Sequence, residues 1–281
     1  MQRHGRRPLA FWLLASFFAL FVLFLYGPTI TIVILSFQGP SGGLTFPMNG
    51  VSVHWFRNLF EKQMVGDFAG SFQRSMILGV ATMLVTVVVS FSAGLAFRKR
   101  FRGSTAIFYL AIASLIVPSI LISLGIGLLY RVLGLDPAWY SSAFGAHLTW
   151  TLPFGLLIMF AVFNRFDRRY EEAARDLGAT SWQTIRHVVV PILLPSLIGV
   201  GLFGFTLSYD EFARSLYTSG TFNTLPLEIY GMTTNVTTPV LYALGTVTTG
   251  FSFAVIALAL VSNLIIRRRR ARFGSDAGKA A

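Results

Sequence analysis

The sequence predicts an all-α membrane protein with six transmembrane helices. Of its 281 residues, 54% are hydrophobic and only 12% are charged, a balance too apolar for one ordinary soluble domain. Six windows of 19 or more residues contain no Asp, Glu, Lys or Arg, and about 20 apolar residues in a helix cross the hydrocarbon core of a bilayer. These windows are Leu9 to Phe37, Ser75 to Phe97, Ser104 to Tyr130, Ala146 to Asn164, Pro191 to Tyr209 and Pro239 to Ile266.

The first window predicts a retained helix. The preceding "QRHGRR" resembles the basic start of a secretory signal, but the apolar run lasts 29 residues and has no A-x-A cleavage pattern. We therefore expect a short cytoplasmic segment at 1–8, a membrane domain at 9–266 and a basic cytoplasmic tail at 267–281. The tail ends in "ARFGSDAGKAA", whose small and polar residues predict disorder.

The basic residues predict the orientation of the chain. A net charge of +12 could indicate nucleic acid binding, but six crossings place 18 of the 23 Lys and Arg residues on one side of the membrane. The positive-inside rule makes that side cytoplasmic, with both termini on it. The charge therefore reports topology, and we expect no nucleic acid partner. The five basic residues on the other side are Arg57, Lys62, Arg74, Arg131 and Arg214.

Prolines lie inside or next to several of the predicted helices. Pro28, Pro118, Pro153 and Pro195 each remove one intrahelical hydrogen bond, so the sequence predicts kinks or interruptions at these positions.

The charged stretch between the fourth and fifth windows predicts two short helices joined at a glycine. Asp167 can cap the first helix, and Gly178 can adopt the left-handed conformation that ends it. Thr180 and Gln183 form the pattern of a capping box for a second helix that continues to Pro191. Two apolar faces follow from the spacing: Tyr170, Ala173, Ala174 and Leu177 on the first helix, and Trp182, Ile185 and Val189 on the second.

A solvated amphipathic hairpin on the membrane surface would explain the same periodicity, but the order of residues favours a specific family. The stretch "EAARDLGATSWQTIRHVVVP" (172–191) resembles the E-A-A…G…I-x-L-P loop of the membrane subunits of ABC importers, with valine in place of the usual isoleucine and leucine. The stretch "LSYDEFARSLYTSG…TLPLEIYGM" (207–232) resembles the permeases of the spermidine and putrescine type. The residues in register with the loop motif are Glu172, Ala173, Ala174, Gly178, Val188, Val190 and Pro191.

The resemblance implies the ABC importer permease fold and a transport subunit that is not itself an enzyme. It implies a second permease chain as a heterodimer partner, two copies of an ATP-binding subunit that hold ATP and Mg, and an extracytoplasmic substrate-binding protein, all in the inner membrane of a bacterium. Residues 167–190, named the coupling loop below, would contact the ATP-binding subunit. The residues assigned to coupling are Glu172, Ala173, Ala174, Gly178, Trp182 and Pro191.

An acidic pair follows the fifth window and is the candidate substrate path. Nineteen residues of helix from Pro191 extend about 28 Å, so Asp210 and Glu211 emerge near the external surface, next to Tyr209. Carboxylates there would attract a cationic substrate such as a polyamine. The structural alternative is a solvated helix end at which Asp210 pairs with Arg214 four residues later.

Other residues of the chain bear on alternative functions. "GPSGG" (39–43) fits the nucleophile pattern of a serine hydrolase, with Ser41 as nucleophile and His54 or His147 as base, but it lies in a glycine and proline loop. An ion-coupled secondary transporter usually carries charges near the midplane, and the six windows of this chain contain none. The four histidines have no metal-ligand spacing, no phosphate-binding loop is present, and we expect this chain to bind no cofactor. Opines and phosphonates remain alternative substrates within the permease family.

Overall fold

The computed structural model describes residues 8–59, 66–99, 101–235 and 238–277. Within them the regular structure is helical apart from one isolated antiparallel bridge between Gln38 and Val51. The helices are α1 Leu9–Leu35, α2 His54–Asn58, α3 Phe68–Phe97, α4 Ser104–Ala113, α5 Ser119–Val132, α6 Phe144–Asn164, α7 Arg169–Asp176, α8 Ser181–Thr184, α9 Val190–Tyr209, α10 Leu225–Asn235 and α11 Val240–Ala277. Two π-helical turns, Trp139–Ala143 and Ile185–Val189, precede α6 and α9.

Five helical runs in the described residues are long and apolar enough to cross a membrane. They are Leu9–Leu35, Phe68–Phe97, Trp139–Asn164, Ser181–Tyr209 and Val240–Ser262. These runs confirm a helical membrane protein, whereas the count of six spanning helices is not confirmed.

The third window forms two shorter helices, α4 with 10 residues and α5 with 14. The break falls at Pro118, which lacks an N–H and disfavours helical geometry in the residue before it. Ser114 follows the end of α4, and its single hydroxyl hydrogen is shared between the carbonyl oxygens of Ala111 at 2.9 Å and Thr149 at 2.8 Å. By contrast, Pro28, Pro153 and Pro195 lie inside continuous helices.

The last helix is longer than we expected. Helix α11 runs through Ala277, past Ile266 and through most of the tail at 267–281 for which the sequence predicted disorder. Residues 1–7 and 278–281 lie outside the described residues.

The chain divides into two compact units, and the first comprises Met1–Gly66 with Gly231–Phe251. In it, the buried side chain of Gln38 organises the loop after α1. Its amide nitrogen donates to the carbonyl oxygens of Gly43 at 3.2 Å and Thr45 at 3.4 Å, and its amide oxygen accepts from the N–H of Asn49 at 2.8 Å. The "GPSGG" sequence is thus a turn wrapped around Gln38.

The second unit comprises Asp67–Tyr230 with Ser252–Ala281, and its core is formed by α3, α6 and α9. The face that helix α3 buries consists largely of small residues, namely Ser71, Ser75, Gly79, Thr82, Thr86, Ser90 and Gly94. A Cβ atom on Gly155 would lie 2.3 Å from the hydroxyl of Ser90, so only glycine permits this approach of α6 to α3. Small residues at helix contacts are typical of membrane bundles, where close packing replaces the hydrophobic effect.

Candidate functional site

The coupling loop has the helix, glycine elbow and second capped helix that the sequence predicted. Helix α7 ends at Asp176, and Gly178, two residues later, has a φ of +85°. The N–H of Gly178 donates to the carbonyl of Arg175 at 2.8 Å, and that of Ala179 donates to the carbonyl of Ala174 at 3.0 Å. These two bonds form a Schellman motif, which satisfies the last carbonyls of the helix. At the start of α7, Asp167 accepts from the N–H of Arg169 at 3.0 Å, although the N-cap position is Arg168.

The second half of the loop begins with the predicted capping box. The hydroxyl of Thr180 accepts from the N–H of Gln183 at 3.3 Å, and the Gln183 side chain accepts from the N–H of Thr180 at 2.8 Å. The second helix reaches Pro191, as predicted, and continues beyond it, since Ser181–Tyr209 is one continuous helical run. Pro191 lies in the first turn of α9, directly after the π-helical turn, where an altered hydrogen-bond register accommodates a proline.

The loop presents an exposed apolar surface. Leu177 is 90% exposed and Trp182 is 67% exposed, although both are large apolar side chains held on well-capped backbone. Glu172 and Ala173 are also exposed, and Ala174 is partly buried. Exposed apolar groups on rigid backbone are typical of a surface that binds a partner.

A partly buried ion pair beside this surface was not predicted from the sequence. The guanidinium of Arg98, at the end of α3, contacts both carboxylate oxygens of Glu171, with Nη1 to Oε1 at 2.5 Å and Nη2 to Oε2 at 3.0 Å. Both side chains are 13% exposed. In the sequence, Arg98 is one of the 18 basic residues that indicate topology, and no local pattern links it to a residue 73 positions away.

A second arginine, Arg214, lies at the opposite end of the α3, α6 and α9 bundle and is fully buried. Its Nη1 donates to the hydroxyl of Ser119 at 2.8 Å and its Nε to the hydroxyl of Thr149 at 3.3 Å. The guanidinium carbon lies 4.4 Å from the ring centroid of Trp150. Burial lowers the pKa of Arg214, and the Glu211 carboxylate opposes that shift.

Backbone contacts tie the loop at 210–224 to the bundle around Arg214. The hydroxyl of Ser123 donates to the Arg214 carbonyl and accepts from the N–H of Tyr217, both at 2.9 Å. Ser142 donates to the carbonyl of Thr218 at 2.6 Å. At Gly220, φ is +71° and a Cβ atom would lie 2.0 Å from the carbonyl oxygen of Pro137, so glycine is needed for this contact.

His147 is buried in the same cluster and is hydrogen-bonded on both ring nitrogens. Nδ1 lies 2.8 Å from the hydroxyl of Ser208, and Nε2 lies 2.9 Å from that of Ser215. Because Ser215 donates its one hydrogen to the carbonyl of Glu211 at 2.8 Å, it accepts from His147, and Nε2 carries the hydrogen. His147 therefore has a structural role.

The structure separates the members of the candidate substrate path. Glu211, whose side chain is 11% exposed, turns towards Arg214, accepts from its N–H at 3.0 Å and approaches Nη1 to 3.9 Å. The carboxylate beside Arg214 is therefore Glu211, and not Asp210 as the structural alternative proposed. Asp210 is exposed at the end of α9, and partial desolvation of its carboxyl raises its pKa. Tyr209 is buried between Phe72 and Phe205.

The hydrolase pattern has no matching geometry in the described parts of the chain. Ser41 is exposed in the turn around Gln38, where the N–H of Gly42 donates to the carbonyl of Gly39 at 2.9 Å. His54 contacts Asn58 at 3.1 Å, and His147 is engaged as described. In the same residues, no group of three or more His, Cys, Asp or Glu side chains could hold a metal ion.

Comparison with known proteins gives consistent matches. Residues 86–273 match the sequence model of a family described as the binding-protein-dependent transport system inner membrane component. The chain is 31% identical to the spermidine/putrescine transport system permease protein PotC of Haemophilus influenzae, over 92% of this chain and 98% of that protein. It is 28% identical to the putrescine transport system permease protein PotI of Escherichia coli, over 81% of this chain and 82% of that protein.

Solved structures share the fold. A chain of a bacterial ABC transporter that imports the acidic polysaccharide alginate matches with a TM-score of 0.63 at 17% identity, covering 97% of this chain and 99% of that chain. A chain of the methionine ABC transporter MetNI matches with a TM-score of 0.56 at 16% identity, covering 71% of this chain and 95% of that chain.

Proposed function

The chain belongs to the family of binding-protein-dependent transport system inner membrane components, and from this premise we propose that it is the permease subunit of an ATP-driven polyamine importer. The coupling loop supports the ATP-driven part of the proposal. Leu177 and Trp182 expose apolar surface on either side of the elbow at Gly178, and the caps on both sides hold that surface in one geometry. A rigid exposed insert is suited to transmit a push from a partner.

The partner at this surface would be an ATP-binding subunit. The small side chains of Ala173 and Ala174 allow its close approach, and the exposed Glu172 can pair with a basic group on it. ATP and Mg would be held by two copies of that subunit, and a second permease chain would complete the pore. The basic residues support a cytoplasmic position for the coupling loop and both termini, because six crossings would put 18 of the 23 on that side. The family supports a bacterial inner membrane as the location.

The substrate proposal rests on relatives and on one carboxylate. The proteins of 28–31% identity are named as spermidine/putrescine or putrescine permeases, and polyamines are cations. Asp210 is exposed at the end of α9, where a carboxylate can attract a cation, whereas Glu211 is directed to Arg214. Among the acidic pair, Asp210 is therefore the better candidate for the substrate path.

The test uses the complete importer, purified with its ATP-binding subunits and its binding protein and reconstituted in liposomes. We expect spermidine uptake that requires both ATP and the binding protein. Leu177→Asp and Glu172→Lys should reduce retention of the ATP-binding subunits by about tenfold, the effect of 1.4 kcal/mol. Arg175→Gln, an exposed change about 200° around α7 from Ala173, is the matched control and should retain them.

Two outcomes would contradict the proposal. Uptake driven by an ion gradient without ATP would indicate a secondary transporter. Full retention of the ATP-binding subunits by both Leu177→Asp and Glu172→Lys would remove the coupling loop as their binding surface.

A further inference from the structure

The ion pair between Arg98 and Glu171 joins the coupling loop to the membrane bundle. Arg98 occupies the C-cap of α3, and Glu171 lies in the first turn of α7. The contact is bidentate, at 2.5 and 3.0 Å, so two parallel hydrogen bonds fix both the distance and the relative orientation of the two side chains. A single point contact would leave α7 free to rotate about it.

Aromatic rings hold the arginine in place from a third element. The guanidinium carbon of Arg98 lies 5.3 Å from the ring centroid of Phe163 in α6 and 5.4 Å from that of Phe166, just beyond α6. Arg168 also donates to the carbonyl oxygen of Arg98 at 3.3 Å. Arg98 therefore connects the end of α3, where it lies, to the end of α6 and the start of α7.

The other charged groups of α7 do not make such a contact. Glu172, Arg175 and Asp176 are exposed. Within the described residues, the pair of Arg98 and Glu171 is the only salt bridge of the coupling loop. The ionic connection from α7 to the bundle is thus concentrated in one partly buried pair, which water screens less than it would a surface pair.

Helix α3 extends from this pair to the loop at 210–224. It has 30 residues and is therefore about 45 Å long. Near its start, Arg74 donates to the carbonyl oxygen of Asn223 at 2.7 Å, and Ser75 accepts from the N–H of Leu225 at 2.8 Å. A displacement of α3 at Arg98 would reach the loop that follows Asp210.

We propose that the ion pair of Arg98 and Glu171, held between Phe163 and Phe166, transmits the movement of α7 to α3 and α6. The inference rests on the proposed function, because it requires a partner that moves the coupling loop. Arg98 and Glu171 are positioning residues. They act on transport through the helices they connect and do not contact the ATP-binding subunit through the surface of Leu177 and Trp182.

The experiment measures spermidine transported per ATP hydrolysed by the reconstituted importer. Glu171→Gln keeps the shape of the side chain and removes its charge, and Arg98→Ala removes the other partner. Both variants should retain the ATP-binding subunits and hydrolyse ATP, while spermidine transported per ATP falls by about tenfold, as 1.4 kcal/mol of lost coupling would produce. Asp176→Asn, an exposed charge change on the same helix, should leave the ratio unchanged.

A charge exchange separates transmission from simple folding. The double variant Arg98→Glu with Glu171→Arg restores an ion pair in the reverse direction and should recover transport per ATP to within about threefold of the wild type, since double-mutant cycles isolate the pair term. Arg98→Lys keeps the charge but loses the planar fork, so it should give an intermediate ratio.

Three results would overturn the inference. The first is a wild-type ratio in both single variants. The second is a lowered ratio that the charge exchange does not raise. The third is that every variant loses ATP-binding subunits to the same extent as it loses uptake. The ion pair would then only support the surface of Leu177 and Trp182 to which these subunits bind. Failure of the proposed function is recognised separately, by the retention of these subunits in Leu177→Asp and Glu172→Lys.

Discussion

Arg98 and Arg214 lie at opposite ends of the same helix bundle, and their buried charges are compensated in different ways. Arg98 has a carboxylate partner in bidentate geometry. Arg214 is more deeply buried, but its nearest carboxylate oxygen, on Glu211, is 3.9 Å away. Two hydroxyl groups and the face of Trp150 provide the rest of its polar contacts, and its Nη2 has no hydrogen-bond partner among the described residues.

The difference shows which end can move. An ion pair between two helices can shift as a unit, because each charge carries its partner with it. The charge of Arg214 contacts hydroxyl groups of α5 and α6 and the ring of Trp150 in α6. It would lose some of these contacts if either helix shifted. Because an unpaired buried charge is costly, such a shift is unfavourable. We therefore expect the cluster around Arg214 to keep its internal contacts and to move with α3 as one rigid frame, and the Arg98 end to be the movable connection to α7.

Removing Arg214 should have the largest effect. Arg214→Ala leaves a cavity and deprives Ser119 and Thr149 of a partner, so the free energy of unfolding should fall by about 2–5 kcal/mol, the range for large-to-small changes in a core. The melting temperature in detergent, followed by size-exclusion chromatography, measures this loss. Arg98→Ala is the matched comparison and should destabilise the protein less. An equal or smaller loss for Arg214→Ala would contradict the rigid-frame assignment.

A change at the elbow of the coupling loop should have an intermediate effect. A Cβ atom on Gly178 would meet no atom within 4 Å, so Gly178→Val is opposed only by the left-handed backbone, at about 1–3 kcal/mol. We expect the protein to insert normally and to lose uptake while ATP hydrolysis continues. Gly178→Asn, which tolerates this backbone conformation, should retain most of the uptake. Equal uptake by both variants would show that the angle between α7 and α8 does not matter.

The acidic pair should give the smallest effect on stability and a clear division of roles. Glu211→Gln keeps a hydrogen-bond acceptor for the N–H of Arg214, so it should cost about 1 kcal/mol and leave spermidine uptake largely intact. Asp210→Asn should not change the melting temperature but should lower uptake of a cationic substrate. Since the pKa of Asp210 is raised, its charge is lost at a higher pH on acidification than that of a free aspartate. On acidification, the part of uptake that depends on the Asp210 charge should therefore fall at a higher pH than it would for a free aspartate.

The same pair of variants tests the nature of the substrate. High salt should weaken wild-type uptake more than that of Asp210→Asn, because screening acts only on the charge that is present. Uptake by Asp210→Asn at the wild-type rate and with the wild-type salt dependence would remove the support that this chain gives to a cationic substrate.

The sequence predicted the parts of the site that depend on short-range rules. The left-handed Gly178 and the capping box of Thr180 and Gln183 follow from residues within four positions of each other, and both are present in the structure. The ion pair of Arg98 with Glu171 and the burial of Arg214 depend on how distant helices pack. Composition placed both arginines on a side of the membrane and could not indicate what they contact.

The helix count illustrates the same limit. A charge-free window from Ser104 to Tyr130 is long enough for one spanning helix, but Pro118 and the bonds of Ser114 divide it into α4 and α5. Pro153 and Pro195 did not divide their helices. The sequence marked all three prolines as possible breaks and could not indicate which of them would interrupt a helix.

The π-helical turn at Ile185–Val189 affects how the exposed surface of the coupling loop, around Leu177 and Trp182, can change over evolution. Such a turn amounts to one residue inserted into an α-helix, and one residue corresponds to about 100° of rotation at 3.6 residues per turn. Deleting a single codon there would turn α8 and the exposed Trp182 by that angle relative to the buried face of α9. A lineage could thus redirect its docking surface towards a different partner while every core residue of the membrane bundle stayed the same.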